Sequence, residues 1–403
     1  MRIAVVTESA ARIGGVEAYL ERIVPQLTRQ ADVAFFARSA ETASERGSIR
    51  LPVGIHQVER GGAGLLAALH EWRPDVVFAH GINDADVELR LTDLAPVVFA
   101  EHNYHGVCIS GSRTFRRPSV QACHRRFGPS CLAIYLPRRC GGNSPITMLR
   151  LYGTQLKRRR MLARCAAIVT LSHHVKRVLE LNGLDGRRIH VIPPFVPPEP
   201  GDRRIDARPS ESIRLLFLGR LEPLKGVDRL LAALPHVARQ TGRPVTLVIA
   251  GDGAERARLE AQASTLVRST PSVAVRFTGW VDDTAKAALL GNTDALVIPS
   301  LWPEPFGLVG IEAAAAGVPA VGFATGGIPE WLIDGETGCL APARHASPEA
   351  LAAAIVRCVA DPRERARLAA GARRAAARRT VQVHVNQLAA VLRDAAQGRT
   401  APA

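Results

Sequence analysis

Acidic residues are in short supply in this chain of 403 residues. Its 37 Asp and Glu face 52 Lys and Arg, leaving a formal charge of +15 at pH 7. Long hydrophobic runs are also missing: no apolar stretch reaches the roughly 20 residues that a bilayer-crossing helix needs. The opening "MRIAVVTES" turns polar too soon for a secretory signal and reads as a first β-strand, so the expected location is the cytoplasm. No recognised nucleic-acid-binding motif accompanies the positive charge, so no nucleic-acid partner is expected. No two of the seven cysteines stand at the two- to four-residue spacing usual in zinc sites. No short-period repeat is present. What remains, 47% hydrophobic and 22% charged residues, is a globular composition, and 403 residues exceed what one core usually serves.

What is present is an alternation. "RIAVVTE", "ADVAFFA", "DVVFAHG", "PVVFAEH", "AAIVTLS" and "RIHVIPP" read as strands, with helical stretches such as "VEAYLERIVPQL" and "HHVKRVLELNG" between them. A stretch rich in proline and charge, residues 194–212, reads as a linker. The alternation then restarts with "IRLLFLG", "VTLVIAG", "VAVRFTG", "DALVIPS" and "VPAVGFA". The expectation is α/β: two Rossmann-like parallel-sheet domains facing across a cleft, with ligands at the carboxyl ends of the strands. The divisions are 1–195 for the first domain, 196–212 for the linker and 213–378 for the second. Residues 379–403 are a C-terminal helix or tail that can pack back on the first domain.

The charge is concentrated. Residues 101–188 hold 17 Lys and Arg against Glu101, Glu180 and Asp185, a local excess of 17 − 3 = 14. Three readings stay open: a surface facing anionic lipid, a site for an anionic substrate, or a compositional habit of using arginine.

Three strand ends carry chemistry. "LFLGRLEPLKGVDRLL" closes a strand at Gly219 and offers Arg220 and Lys225 before a helix that opens near Gly226 or Val227. Two cations and a helix N-terminus suit a diphosphate. "IPSLWPEPFGLVGIE" places Glu304 in a loop held non-helical by Pro303 and Pro305, and Glu312 in the second turn of the following helix. Carboxylates in so apolar a setting need partners: basic side chains, or the hydroxyls of a polar ligand. The N–H groups of Phe306, Gly307 and Leu308 lie beside Glu304. "ATGGIPE" adds Gly326 and Gly327, which let the backbone approach a ligand closely.

Together "GRLEPLKG", Glu304 and Glu312, and "GGIPE" resemble the retaining glycosyltransferases of family four, which have the GT-B fold. In the first half "RIGGVE" (Gly14, Gly15, Glu17) looks like the family's first glycine loop, "VVFAEHN" puts His102 at a strand end where the family keeps a histidine, and "IHVIPP" matches its closing segment, although "IPPFV" replaces the commoner Pro-Asn-Gly. The resemblance implies transfer of a hexose-type sugar from a nucleoside-diphosphate sugar to a saccharide or lipid-linked acceptor in envelope or exopolysaccharide synthesis. It implies catalytic roles for His102, Arg220, Lys225 and Glu304. Donor binding falls to Gly14, Gly15, Trp280, Phe306, Gly307, Leu308, Glu312, Gly326 and Gly327. Glu304 would take the sugar hydroxyls, Glu312 the ribose hydroxyls, the two cations the diphosphate and Trp280 the edge of the base pocket. No metal and no other cofactor is expected. The alternatives are a nucleotide-sugar epimerase or a non-catalytic sugar-nucleotide-binding protein of the same fold.

An insertion at about 103–146 carries Cys108, Cys123, Cys131 and Cys140. Similar cysteine-bearing insertions occur in the family, and buried or unpaired thiols are expected in preference to a structural metal. The basic runs around it, with Leu132, Ile134, Tyr135 and Leu136 interleaved, suit a protein resting on the anionic inner face of a membrane.

Overall fold

A computed structural model of the chain describes residues 1–11, 15–39, 49–57, 61–196 and 211–398. It divides into two units. One comprises Met1–Ser119, Cys123–Pro194 and Val381–Ala403, the other Val120–Ala122 and Phe195–Thr380.

The first unit is built on a seven-stranded sheet in the order β3-β2-β1-β4-β5-β8-β9. The strands are β1 (Arg2–Ser9), β2 (Asp32–Ser39), β3 (Ile55–Gln57), β4 (Val76–Ala79), β5 (Val97–Glu101), β8 (Ala167–Thr170) and β9 (Ile189–Val191), and all pair in parallel. Ile3–Val6, Val76–Ala79 and Val97–Glu101 are buried on both faces, which is why these strands read as continuous apolar runs rather than alternating ones. The short β6 (Thr114–Phe115) and β7 (Gln121–Ala122) follow β5 in the chain. Helices α1 (Gly15–Leu27), α2 (Gly61–Trp72), α3 (Ala85–Leu94), α4 (Ser130–Arg138), α5 (Pro145–Arg164) and α6 (His173–Leu181) belong to the same unit.

The second unit has six parallel strands in the order β12-β11-β10-β13-β14-β15. They are β10 (Ile213–Leu218), β11 (Val245–Ala250), β12 (Val273–Gly279), β13 (Ala295–Ile298), β14 (Ala320–Phe323) and β15 (Gly338–Ala341). Its helices are α7 (Val227–Thr241), α8 (Arg256–Ser269), α9 (Asp283–Gly291), α10 (Leu308–Ala315), α11 (Pro348–Val359) and α12 (Pro362–Ala377). The last helix, α13 (Val381–Ala396), is part of the first unit and packs against α1 and against β4, β5 and β8. Helix starts are written locally. Asp84, Ser144, Ser172, Asp282, Ser347 and Asp361 each accept a backbone N–H of the first turn, and Pro145, Pro348 and Pro362 occupy positions where a missing N–H costs nothing.

Both sheets are Rossmann-like. In each, the chain winds outward from a central strand in one direction and then returns to wind the other way, so a crevice opens at the carboxyl ends of β1 and β4 and of β10 and β13. Strands β3 and β15 carry no sequence reading above. Each is an edge strand of its sheet.

The cysteine-bearing insertion has a small core of its own. Ile109, Phe127, Cys131, Tyr135 and Cys140 are buried together, with Leu132, Met148, Leu151, Tyr152 and Leu156 packed on them. The thiols act here as small apolar groups. Burial, with the neighbouring thiols, pushes Cys140 up to about 11. Among the described residues no group of three His, Cys, Asp or Glu is placed to hold a metal ion. Tyr135 is fully buried and Leu132 faces this core, so of the four apolar residues interleaved with the charge only Leu136 is well exposed.

Candidate active site

In the second unit β10 ends at Leu218 and runs through Gly219 and Arg220 into a 3-10 turn, Pro223–Lys225. Gly226 links that turn to α7 with φ 68°. Any Cβ there would stand 2.0 Å from the Pro299 carbonyl oxygen, so only glycine lets the loop after β13 close on this turn. The backbone N–H groups of Leu301 and Trp302 both donate to the Leu224 carbonyl, at 2.9 and 3.2 Å. The switch-point crevice of this sheet is therefore a rigid junction of two loops.

Lys225 and Glu304 meet in that junction. Nζ of Lys225 donates to Oε1 of Glu304 at 2.6 Å, and Ser300 Oγ donates to the same oxygen at 2.5 Å. The ammonium also lies 4.9 Å from the centre of the Trp302 ring. The loop after β14 holds the glutamate from the far side. Gly327 N–H donates to the Glu304 carbonyl at 2.7 Å, and a Cβ on Gly326 would lie 2.2 Å from that same oxygen. Phe306 is buried, and its carbonyl accepts Trp331 Nε1–H at 2.6 Å. Gly307 is the N-cap of α10 and Leu308 its first residue, and no side chain caps that helix end.

Glu312 lies on the second turn of α10 and pairs with a different lysine. Its Oε2 accepts from Nζ of Lys286 at 3.1 Å, and Lys286 also reaches Asp283 at 3.1 Å. Burial works against the Lys286 charge, but the two carboxylates outweigh it and raise the ammonium above its ordinary range. Arg220 is 73% exposed and pairs with Glu222 at 2.9 Å. Trp280, just past β12, is 57% exposed. Of the predicted residues, then, the fold joins Lys225, Glu304, Gly326 and Gly327 directly, while Arg220 and Trp280 stand just past β10 and β12 and Glu312 stands on α10. Ser300, Trp302 and Lys286 escaped the sequence reading. Lys286 left a faint signal, standing three residues after Asp283 on one helix face.

The first unit gathers histidines at the ends of β4 and β5. Nδ1 of His80 and Nε2 of His102 are 3.0 Å apart. His384, from α13, contacts the Pro193 carbonyl through Nδ1 at 2.8 Å and the Tyr19 hydroxyl through Nε2 at 2.7 Å. Burial holds His102 down at about 4, against the upward pull of Glu101. It also holds His80 well below the usual range. Gly15 is the exposed first residue of α1. Gly14 lies outside the described residues.

The basic segment is less of a free surface than its charge suggests. Arg158 Nε bonds Glu88 at 3.0 Å and its Nη2 bonds the Ile82 carbonyl at 2.9 Å, with the two side chains only 12% and 2% exposed. Arg159 donates to the Asn182 and Phe127 carbonyls at 2.6 and 3.4 Å. These two arginines hold the fold together, and of the run 158–160 only Arg160 is exposed.

Comparison with known proteins points one way. Residues 13–200 match the family described as Glycosyltransferase Family 4, and residues 199–375 match Glycosyl transferases group 1. The chain is 34% identical over 328 residues to the glycogen synthase of Mycobacterium tuberculosis, covering 79% of this chain and 68% of that protein. It is 43% identical over 143 residues to the phosphatidyl-myo-inositol mannosyltransferase of Mycobacterium leprae, 35% of this chain and 36% of that one. The structure of Anabaena HepE in complex with UDP and glucose superposes with a TM-score of 0.67 at 21% identity, covering 97% of this chain and 99% of that one, which shows the shared GT-B fold. The chain belongs to the glycosyltransferases of family four.

Proposed function

We propose that the protein is a retaining hexosyltransferase that moves a sugar from a nucleoside-diphosphate donor to a saccharide or lipid-linked acceptor. The Lys225–Glu304 pair at the switch point of the second sheet carries this reading. A sugar nucleotide is the ligand that can part that pair without leaving either charge bare: its diphosphate replaces the carboxylate on Lys225, and its sugar hydroxyls replace the ammonium on Glu304. The leaving diphosphate gains charge as the glycosidic bond breaks, and fixed cations, Lys225 with Arg220, favour that state without a metal. In a front-face displacement the bond from the sugar C1 to the phosphate oxygen breaks, the bond to the acceptor oxygen forms on the same face, and the acceptor proton passes to the departing phosphate. Glu304 is then a binding group and not the nucleophile. Glu312 takes the ribose hydroxyls, with Trp280 at the base. A UDP donor is supported by HepE, whose structure holds UDP and glucose. A thermal-shift screen of UDP, GDP and ADP with their sugars tests the reading. One nucleotide series should stabilise the protein in EDTA, and no shift with any of them would refute it. Conversion of the bound sugar to its epimer would replace a transferase by an epimerase.

The acceptor side is read as a membrane surface. Ile146 and Leu149, on the first two turns of α5, are 81% and 60% exposed, and the exposed Arg150 stands on the same helix face as Ile146. Apolar tips beside arginine suit the headgroup region of an anionic leaflet at the cytoplasmic face, and the matching mycobacterial mannosyltransferase acts on a phosphatidyl lipid by name. Ile146→Glu with Leu149→Glu should abolish co-sedimentation with phosphatidylglycerol vesicles and leave the melting temperature unchanged. Undiminished sedimentation of that variant would refute the surface.

A further inference from the structure

The two histidines at the ends of β4 and β5 share one hydrogen bond, and its direction decides what His102 can offer a substrate. Nδ1 of His80 and Nε2 of His102 lie 3.0 Å apart, with the rings within 20° of parallel, so one proton lies near the plane of both. Burial keeps both rings neutral at pH 7, and a neutral imidazole carries a single N–H. Two arrangements are open. If His102 donates through Nε2, then His80 must carry its own proton on Nε2. That atom is buried and has no hydrogen-bond partner among the described residues. If His80 donates through Nδ1, its Nε2 holds only an idle lone pair. Orphaned buried N–H groups are rarer than under-used acceptors, which favours the second arrangement.

We propose that His80 is a positioning residue that donates from Nδ1 to Nε2 of His102 and so fixes His102 as its Nδ1–H tautomer. The nitrogen of His102 left for a ligand then bears a proton. It can donate to a hydroxyl oxygen of the donor sugar or to a phosphoryl oxygen, and it is excluded as a general base toward the acceptor. The sugar-facing role of His102 rests on the function proposed above; its tautomer does not. The adjoining pair fits the same scheme. The Pro193 carbonyl can only accept, so His384 carries its proton on Nδ1, its Nε2 accepts, and the Tyr19 hydroxyl proton is directed to His384. Tyr19, with ring centroids 5.9 and 6.2 Å from His80 and His102, therefore walls the pair without donating to it.

Long-range proton–nitrogen spectra of the histidine rings read the tautomer directly, with His102 assigned from the signals lost in His102→Gln. The wild-type protein should show a protonated Nδ1 and a bare Nε2 at His102. His80→Asn, whose amide N–H reaches the place of the Nδ1–H, should keep that pattern, and His80→Phe should release it. In turnover with the nucleotide sugar found by binding, His80→Phe should lower kcat roughly tenfold, the worth of one hydrogen bond, and His80→Asn should restore most of it. A protonated Nε2 at His102 in the wild type would overturn the proposal, as would a His102 pattern unchanged in a folded His80→Phe. If that variant does not fold, the wild-type and His80→Asn spectra decide alone. A protein that turns over no nucleotide sugar would refute the proposed function and leave the spectra to judge the tautomer.

Discussion

Replacing Lys225 by alanine removes one partner from a pair that is nearly enclosed, with side chains 18% and 9% exposed. Glu304 then keeps the Ser300 hydroxyl on Oε1 but loses the lysine counter-charge. A charge-assisted hydrogen bond is worth about 1.5–3 kcal/mol. In a unit of this size each kcal/mol moves the midpoint by about 2–4 °C, so the ligand-free protein should melt about 3–12 °C lower. The same loss on the diphosphate weakens its binding roughly ten- to a hundredfold. Adding Glu304→Gln should return part of the lost stability, because no bare carboxylate is left in the junction, but should not return the affinity. Differential scanning fluorimetry and calorimetric titration with the nucleoside diphosphate that stabilises the wild type measure both quantities. Wild-type melting and affinity in Lys225→Ala would refute the coupling of this pair, as would stability losses of the two single variants that simply add in the double one.

Glu304→Gln should lower turnover more than it lowers affinity for free nucleoside diphosphate, and Glu312→Gln should do the reverse; equal effects of the two changes on free diphosphate binding would contradict the assigned roles. Arg158→Ala should destabilise the protein by roughly 3 kcal/mol, because it strands the buried Glu88, and urea unfolding that matches wild type would show that the pair is not structural. Part of the pH dependence follows from His102, which burial holds at about 4; burial lowers His80 and His174 in the same direction. An unfolded histidine takes up its proton near 6.5, so unfolding binds protons in that window. Stability should therefore fall as pH drops from about 6.5 toward about 4, and His102→Gln should flatten the fall. Melting temperatures at several pH values check this, and an unchanged slope in that variant would refute it.

The central parallel strands were legible because β1, β4, β5, β8, β13 and β14 are buried on both faces and so read as runs of Val, Ile, Leu, Ala and Phe. The switch-point loops were legible because glycine, proline and charge crowd into a few positions after β10, β13 and β14. Sequence could not show that Lys225 and Glu304, 79 positions apart, bond each other, since their meeting depends on Gly226 letting two loops close. It could not show the pairing of Lys286 with Glu312 either, because an ion pair reaching from α9 to α10 leaves no periodic trace. The arginine run 158–160 was misleading for a physical reason. A charge run marks a solvated face only when its partners are absent, and Glu88 and the carbonyls of Ile82, Asn182 and Phe127 come from distant parts of the chain.

Retaining transfer at the Lys225–Glu304 junction is tested most directly by a proton NMR time course of the purified enzyme with the α-linked nucleotide sugar selected by the binding screen, in EDTA. Release of the nucleoside diphosphate is expected together with sugar that appears first as the α-anomer, before mutarotation, and both signals should be lost in Lys225→Ala. First appearance of the β-anomer, or of a sugar epimerised at a ring carbon, would contradict retaining transfer.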